Sequence, residues 1–236
     1  MSEKYEHTGE KGEYIDSYYS RTLNVAQEFL PLLEEITTPV CIIGGGMAGV
    51  ATAQGLVDRG IKPVLIEANR IGWGASGRNG SFVSAGYSLG VQKIVEKVGK
   101  EHARALCALT VDALALIKKR IGERSDLRGE TDGLLNVSWF NERDAVEKNI
   151  ECLNDIMGVN YQFWSQQQIT DLYHSKRYYD GYMKPDAIQV HSLNYTCHSA
   201  RQAQEGGARV FEKSPVINIK KHGNGWKVMT KHGAVI

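Results

Sequence analysis

The chain has 236 residues, a formal net charge of +1 and four cysteines. Its length can bury a substantial core in one large domain or two small ones, and its near-neutral charge gives no reason to expect a nucleic-acid partner. No apolar stretch approaches bilayer-spanning length, and residues 1–6 lack the apolar centre of a secretory signal. We therefore expect a cytoplasmic protein with no membrane partner. The widely spaced cysteines, without a C-x-x-C pair, predict neither a disulfide framework nor a metal site.

The N-terminal part of the chain has weak structural patterns. Residues 1–12 are typical of a solvated tail, and the apolar residues from Tyr14 to Leu33 follow an irregular, partly helical spacing. We assign residues 1–34 to an N-terminal tail and helix. The first part of a nucleotide-binding domain, residues 35–90, follows with much clearer signals.

A strand, a glycine-rich turn, a helix and a second strand are predicted in succession. The apolar run Val40–Ile43 precedes the turn Gly44–Gly49, and an Ala-rich helical segment runs from Ala48 to Asp58. The second apolar run, Val64–Ile66, ends at the acidic residue Glu67. This is the dinucleotide-binding fingerprint G-x-G-x-x-G in a βαβ unit, so we predict an α/β fold with a Rossmann-like domain.

Each part of the fingerprint has a physical role. Gly44 permits the tight turn, Gly46 lets the backbone approach a pyrophosphate, and Gly49 lets the helix pack closely against the strand. The unpaired amides at the start of the helix attract the anion. Glu67 is placed to accept hydrogen bonds from a ribose, and its charge repels a 2′-phosphate. The pattern therefore indicates FAD or NAD and argues against NADP.

A second segment, Gly72–Ser81, is too rich in glycine to form a regular element. The chain ends on residues 233–236, which look like the beginning of another buried strand, so we expect it to be a fragment of a longer protein.

Between the second glycine segment and residue 233 we predict three helices and five strands. The helices cover Val91–Ile121, Glu142–Met157 and Leu193–Glu205. The strands cover Gly133–Phe140 and Gly181–His191, and shorter ones lie around Ala208–Glu212, Val216–Lys220 and Trp226–Thr230.

The two glycine motifs carry a family resemblance. The segment Ile71–Gly80, which follows the βαβ unit, resembles the D-amino-acid-oxidase-like FAD-dependent oxidoreductases, and among them most resembles the gamma-glutamylputrescine oxidase branch. This resemblance implies an α+β protein overall, with residues 91–191 as the first part of an antiparallel-sheet substrate domain and residues 192–236 as a return to the FAD-binding domain. Looser matches to that branch are Tyr18-Tyr19, Asn194-Tyr195, Gly207–Phe211 and Ser214-Pro215-Val216.

The resemblance implies an FAD site with several parts. The first glycine turn would hold the pyrophosphate, the acidic end of the second strand would hold the ribose, the second glycine segment would wrap the phosphates and reach the isoalloxazine ring, and the backbone of Val216 would hold the adenine. No catalytic residue is assigned, because the family's remaining flavin-facing residues would follow Ile236. The implied cofactor-binding residues are Gly44, Gly46, Met47, Ala48, Gly49, Glu67, Ala68, Gly74, Ala75, Ser76, Gly77, Arg78, Asn79, Gly80 and Val216.

The activity that the resemblance implies is oxidation of a small-molecule amine or amino acid, with a gamma-glutamylputrescine-like compound as substrate and O2 as acceptor. A flavin accepts a hydride from the carbon beside an amine nitrogen, and the amine must react deprotonated although its free pKa is about 10.4. Two alternatives remain open. One is an NAD-dependent dehydrogenase, which shares the βαβ unit without needing Gly72–Ser81. The other is a non-catalytic FAD-binding fragment.

Three further side chains allow two interpretations each. Arg78 stabilises negative charge on a flavin or a substrate carboxylate, or it forms a salt bridge within its loop. Trp73 shields the flavin or packs in a core, and packing is the more common role of a buried tryptophan. His191 faces the substrate or has a structural role, and the structural role is favoured because no partner residue accompanies it.

Overall fold

The computed structural model describes residues 13–24, 28–122, 124 and 126–236. The chain divides into two compact units. One comprises the chain up to Ser81 together with His191–Ile236, and the other is Phe82–Val190. The structure therefore groups residues 82–90 with the second unit, whereas the sequence pattern assigned them to the first.

The elements of the described residues agree closely with the predicted order. None of these helices combines the length and the apolar character needed to cross a bilayer. In chain order the elements are α1 (Tyr18–Arg21), β1 (Glu35–Ile36), β2 (Cys41–Ile43), α2 (Met47–Val57), β3 (Val64–Ile66), β4 (Phe82–Val83), α3 (Val91–Ile121), β5 (Arg128–Val137), α4 (Arg143–Met157), β6 (Gln162–Trp164), α5 (Gln166–Tyr173), β7 (Gly181–Val190), α6 (Ser192–Glu205), β8 (Arg209–Phe211), β9 (Val216–His222), β10 (Gly225–Thr230) and β11 (Ala234–Val235).

The first unit contains the predicted Rossmann-like arrangement. Strands β2, β3 and β8 form a parallel sheet in the order β2-β3-β8, with Ile43 opposite Ile66 and Ile66 opposite Phe211. Helix α2 connects β2 to β3 and packs against α6. The predicted fold class is confirmed. Of the predicted N-terminal tail and helix, the described residues form one short helix, α1 (Tyr18–Arg21), and residues 1–12 and 25–27 lie outside the described part of the chain.

Strand β3 is buried on both faces. On one face Leu65 packs with Val50 of α2 and Ala200 of α6. On the other, Val64 and Ile66 pack with residues of a second sheet, in which β11 lies parallel to β1 and antiparallel to β10, and β10 pairs with β9. A strand covered on both faces reads as a continuous apolar run rather than as an alternation, which is why the pattern was easy to detect.

The second unit is built on an antiparallel sheet, as predicted for this part of the chain. Its strand order is β4-β7-β5, with β6 paired to β7. Helices α3 and α4 pack against each other, and α3 is interrupted at Gly99, where φ is 77°. The apolar periodicity does not predict β4, β6 or α5. Helix α5 has a local signal nonetheless, since Ser165 and Gln168 form a capping box at its start.

Candidate functional site

The first glycine turn brings the end of β2 against the start of α2. Gly44 has a φ of 105°, a conformation that side-chain-bearing residues rarely adopt. A Cβ atom added to Gly49 would lie 2.0 Å from the carbonyl oxygen of Gly44, so the helix can begin at this distance only if residue 49 is glycine. The tight turn and the close approach predicted from the fingerprint are both present.

The N-terminus of α2 offers backbone donors that the helix itself does not use. The first N–H groups of any α-helix lack an acceptor within it, and the positive end of the helix dipole lies there. At the N-cap position, Gly46 supplies no side-chain acceptor. The amides of Met47, Ala48 and Gly49 therefore form the kind of terminus to which phosphate groups bind.

The Glu67 side chain lies against this turn, where it accepts two backbone hydrogen bonds. One carboxylate oxygen, Oε2, accepts from the backbone N–H of Gly45 at 2.6 Å, and Oε1 accepts from that of Asn69 at 2.8 Å. A carboxylate can accept about four hydrogen bonds, so both oxygens retain acceptor capacity. The half-buried side chain is thus held in one orientation at the end of β3. The ribose contact stays a prediction.

The second glycine segment folds onto the first. Residues Ala75–Gly77 form a single 3₁₀ turn, and Ser76 Oγ accepts from the backbone N–H of Met47 at 2.9 Å. A backbone bond from Gly72 N–H to the Gly45 carbonyl oxygen, 2.9 Å long, joins the same two segments. Two motifs that the sequence shows separately are therefore parts of one site.

The residues after this turn fold back onto it. The exposed Arg78 donates from Nε to the carbonyl oxygens of Trp73 and Gly74, at 3.2 and 3.3 Å, and its guanidinium lies 5.3 Å from the Trp73 ring centroid. Asn79 donates from Nδ2 to the carbonyl oxygens of Ala75 and Ser76, both at 3.1 Å. Both side chains order the turn itself. Gly80 is exposed beside them, and the flavin contacts implied for these residues stay predictions.

Ala68 and Val216 lie at the carboxyl end of β3 and at the start of β9. Ala68 is exposed directly after Glu67. Val216 packs part of its side chain against the cluster that contains Val64 and Ile66. The segment before it is tied to β3, since Ser214 donates its N–H to the Glu67 carbonyl oxygen at 2.9 Å. The adenine contact implied for Val216 stays a prediction.

His191 has the structural role that the sequence favoured. It is the N-cap of α6, where Nδ1 accepts from the Asn194 N–H at 3.1 Å. Its Nε2 lies 2.9 Å from Thr22 Oγ1, which itself donates to the Tyr18 carbonyl oxygen at 2.6 Å. These partners are those of a neutral imidazole with its proton on Nε2. Burial lowers the pKa of His191, in agreement with that form.

Trp73 is not fully buried in a core, and its indole N–H has a specific hydrogen-bond partner. Its indole is half-buried, and Nε1 donates to the Glu13 carbonyl oxygen at 2.6 Å. The ring therefore links the second glycine segment to the N-terminal segment.

The sequence analysis missed four side chains that support the site. Tyr14 donates from its hydroxyl to the Ile71 carbonyl oxygen at 2.8 Å, and Tyr19 donates to the Asn79 carbonyl oxygen at 2.6 Å. Arg70 and Glu212 form an ion pair at 2.9 Å, and both are buried.

Comparison with known proteins agrees with this arrangement. The family model "DAO: FAD dependent oxidoreductase" matches residues 39–236. The chain is 29% identical over 227 residues to a probable oxidoreductase OrdL of Haemophilus influenzae, covering 95% of this chain and 52% of that protein. It is 30% identical over 209 residues to gamma-glutamylputrescine oxidoreductase of Escherichia coli, covering 88% of this chain and 49% of that protein. The chain thus spans about half the length of these curated relatives.

A solved structure shows the same fold. Glycine oxidase from Geobacillus kaustophilus superimposes with a TM-score of 0.66 at 20% identity, over 85% of this chain and 53% of that one. The resemblance derived from the two glycine motifs is confirmed, because the family match covers most of the sequence. This chain belongs to the DAO family of FAD-dependent oxidoreductases.

Proposed function

We propose that this chain holds FAD in an enzyme that oxidises an amine or an amino acid. The observation that carries the proposal is the convergence of Ser76 Oγ and the Glu67 carboxylate on amides of one glycine turn, those of Met47 and Gly45. Membership of a family of FAD-dependent oxidoreductases supports it, and so do relatives named as oxidases of amino acids and amines.

The residues of the turn fit a diphosphate. The N-terminus of α2 combines the amides of Ala48 and Gly49, which lack an acceptor within the helix, with the positive end of a helix dipole, and this suits an anion. A Cβ added to Gly44 or Gly74 would have no heavy atom within 4 Å, so open space borders both glycine segments. Ser76 uses its oxygen to accept from Met47, which leaves the hydroxyl proton available to donate to a phosphate oxygen.

The chain's own residues would bind and orient the cofactor. The amides of α2 neutralise part of the diphosphate charge, and Glu67 accepts from the ribose hydroxyls while its bonds to Gly45 and Asn69 hold its orientation. When bound, FAD supplies the acceptor for the hydride that leaves the carbon next to the amine nitrogen. A carboxylate at the ribose also disfavours NADP, because it would repel a 2′-phosphate.

For the substrate we propose an amine of the gamma-glutamylated polyamine class, with O2 as electron acceptor. The name of the E. coli relative, gamma-glutamylputrescine oxidoreductase, supports the choice of substrate class. Glycine oxidase of Bacillus subtilis, at 23% identity, marks amino acids as the competing class. To separate the two substrate classes, the protein as its organism produces it would be assayed with a panel of gamma-glutamylated polyamines and amino acids. Release of hydrogen peroxide would be the readout.

Titration with FAD and, separately, with NADH tests the cofactor assignment. We expect stoichiometric quenching of flavin fluorescence and a visible flavin absorption spectrum after gel filtration. Binding of NADH without binding of FAD would instead favour an NAD-dependent dehydrogenase. A chain that binds neither would contradict the proposal.

A further inference from the structure

A buried carboxylate lies beneath the second glycine segment. Glu212, at the end of β8, is 1% exposed. Its Oε1 accepts from the Ile71 N–H at 2.7 Å, and its Oε2 accepts from the Phe29 N–H at 3.2 Å and lies 2.9 Å from Arg70 Nε. The carboxylate thus accepts from two backbone amides and forms an ion pair with one guanidinium. Nothing in the proposed cofactor contacts uses this group.

The residue that Glu212 holds is the junction between the two glycine segments. Ile71 precedes Gly72, whose N–H donates to the Gly45 carbonyl oxygen at 2.9 Å. The Ile71 carbonyl oxygen accepts from the Tyr14 hydroxyl at 2.8 Å, so both backbone groups of this residue are fixed by side chains. Ile71 itself is fully buried. A shift of Ile71 would move Gly72 away from Gly45, and Ser76 away from Met47 with it.

We propose that Glu212 is a positioning residue for the FAD diphosphate. Its negative charge, paired with Arg70, holds the Ile71 N–H and so keeps the second glycine segment against the N-terminus of α2. This inference rests on the proposed function for its effect on FAD. Its structural part, the attachment of one glycine segment to the other, does not require FAD.

The proposed role of Glu212 depends on the negative charge of its carboxylate, and that charge depends on pH. Burial raises its pKa, while Arg70 and the bound amides oppose that rise. Of the other titratable groups that act on it, Tyr14 and Cys197 have pKa values raised by burial and stay neutral in acid. Arg70 also contacts Glu13 and Glu28, at 2.9 and 3.1 Å, and Lys213 pairs with Glu13 at 2.8 Å.

The chain offers a matched control in Glu28. Its carboxylate contacts the same guanidinium as Glu212 does, but its side chain is 69% exposed. Glu28→Gln therefore removes one charge next to Arg70 without touching the Ile71 N–H. Glu212→Gln removes the charge at the junction and preserves the size of the side chain.

Three measurements on the full chain test the proposal. We expect Glu212→Gln to weaken FAD binding by about tenfold and Glu28→Gln to change it by less than about twofold. Hydrogen exchange without FAD should speed up in the amides of residues 70–80 in Glu212→Gln and stay at the wild-type rate in Glu28→Gln. As the pH falls through the raised pKa of Glu212, FAD binding by the wild type should weaken, since protonation removes the charge, and the weakening should be much smaller in Glu212→Gln.

Several results would contradict the proposed role of Glu212. If Glu212→Gln binds FAD as the wild type does, with the same exchange and the same pH profile, the proposal is wrong. A variant with a lower melting temperature but unchanged affinity and exchange in its folded state would also overturn it. Should Glu212→Gln fail to fold, Glu212→Asp, which keeps the charge and withdraws it from Ile71, is tested in the same way. A wild type that does not bind FAD contradicts the proposed function, and the exchange measurement then decides the inference alone.

Discussion

The hydroxyl of Ser76 and the backbone nitrogen of Met47 lie 2.9 Å apart, which joins two glycine segments at the first turn of one helix. Ser76 Oγ satisfies the Met47 amide, which has no acceptor within the helix, and the hydroxyl proton stays available for another acceptor.

Replacing Ser76 with alanine should weaken FAD binding. The change removes the hydroxyl proton that we propose donates to a phosphate oxygen, and a hydrogen bond of this kind contributes about 1–1.5 kcal/mol, or about five- to tenfold in the dissociation constant. Quenching of flavin fluorescence measures it. The control is Thr52→Ala, which removes an exposed hydroxyl from the same helix, where it bonds to the Ala48 carbonyl oxygen. Equal affinities for the two variants would remove Ser76 from the site.

Replacing Glu67 with glutamine should cost more affinity than loss of the serine hydroxyl. The neutral amide accepts less strongly from Gly45 and Asn69 and from a ribose, so we expect a loss of about 1.5–3 kcal/mol, roughly tenfold to a hundredfold. Isothermal titration with FAD measures the change. Glu205→Gln, which alters an exposed carboxylate that pairs with Arg201 near the C-terminal end of α6, should leave the affinity at its wild-type value. An unaltered dissociation constant in Glu67→Gln would contradict the ribose assignment.

Two glycine-to-alanine changes in helix α2 should act on stability with opposite signs. In Gly49→Ala the new methyl group would lie 2.0 Å from the Gly44 carbonyl oxygen, so the turn must open, at a cost of about 2–3 kcal/mol. In Gly55→Ala the new methyl group meets only the Arg59 guanidinium, at 3.5 Å. Alanine then favours the helix by about 0.5–1 kcal/mol. Urea denaturation of both variants measures the difference, and destabilisation of both by the same amount would argue against the close contact.

The stability of the first unit should depend on the protonation of His191. Burial lowers its pKa in the folded protein, and Nδ1 can accept from Asn194 only when unprotonated. The folded state therefore binds fewer protons than the unfolded state does, so the contribution is present above about pH 6.5 and is lost as the pH falls through the folded pKa. We expect His191→Asn, which keeps a capping oxygen, to reduce the loss of stability between about pH 7 and about pH 5 by roughly 1 kcal/mol. Parallel pH profiles for the two proteins would rule out this role.

Much of the site was predictable because its signals are local. The glycine turn, the helix and the acidic end of β3 lie within one βαβ unit, where short-range geometry determines which residues meet. The helices α3 and α4 were predicted within about two residues because each has an apolar face, and the end of α6 was predicted because Gly206-Gly207 follows it. By contrast, α5 has eight residues and a mostly polar sequence, so its apolar periodicity is weak and only its capping box marks it.

The amino-acid sequence by itself determined the parallel β2-β3 unit, the bent glycine turn and the family, because each depends on residues that are close together along the chain. Only the tertiary structure decided that Ser76 meets Met47, that the Glu212 carboxylate holds the Ile71 N–H, and that Tyr14 and Tyr19 secure the second glycine segment. Glu212 and Ile71 are 141 positions apart in sequence. Their contact exists because β8 pairs with β3 in parallel register, an arrangement set by burial of both faces of the sheet and by no local pattern.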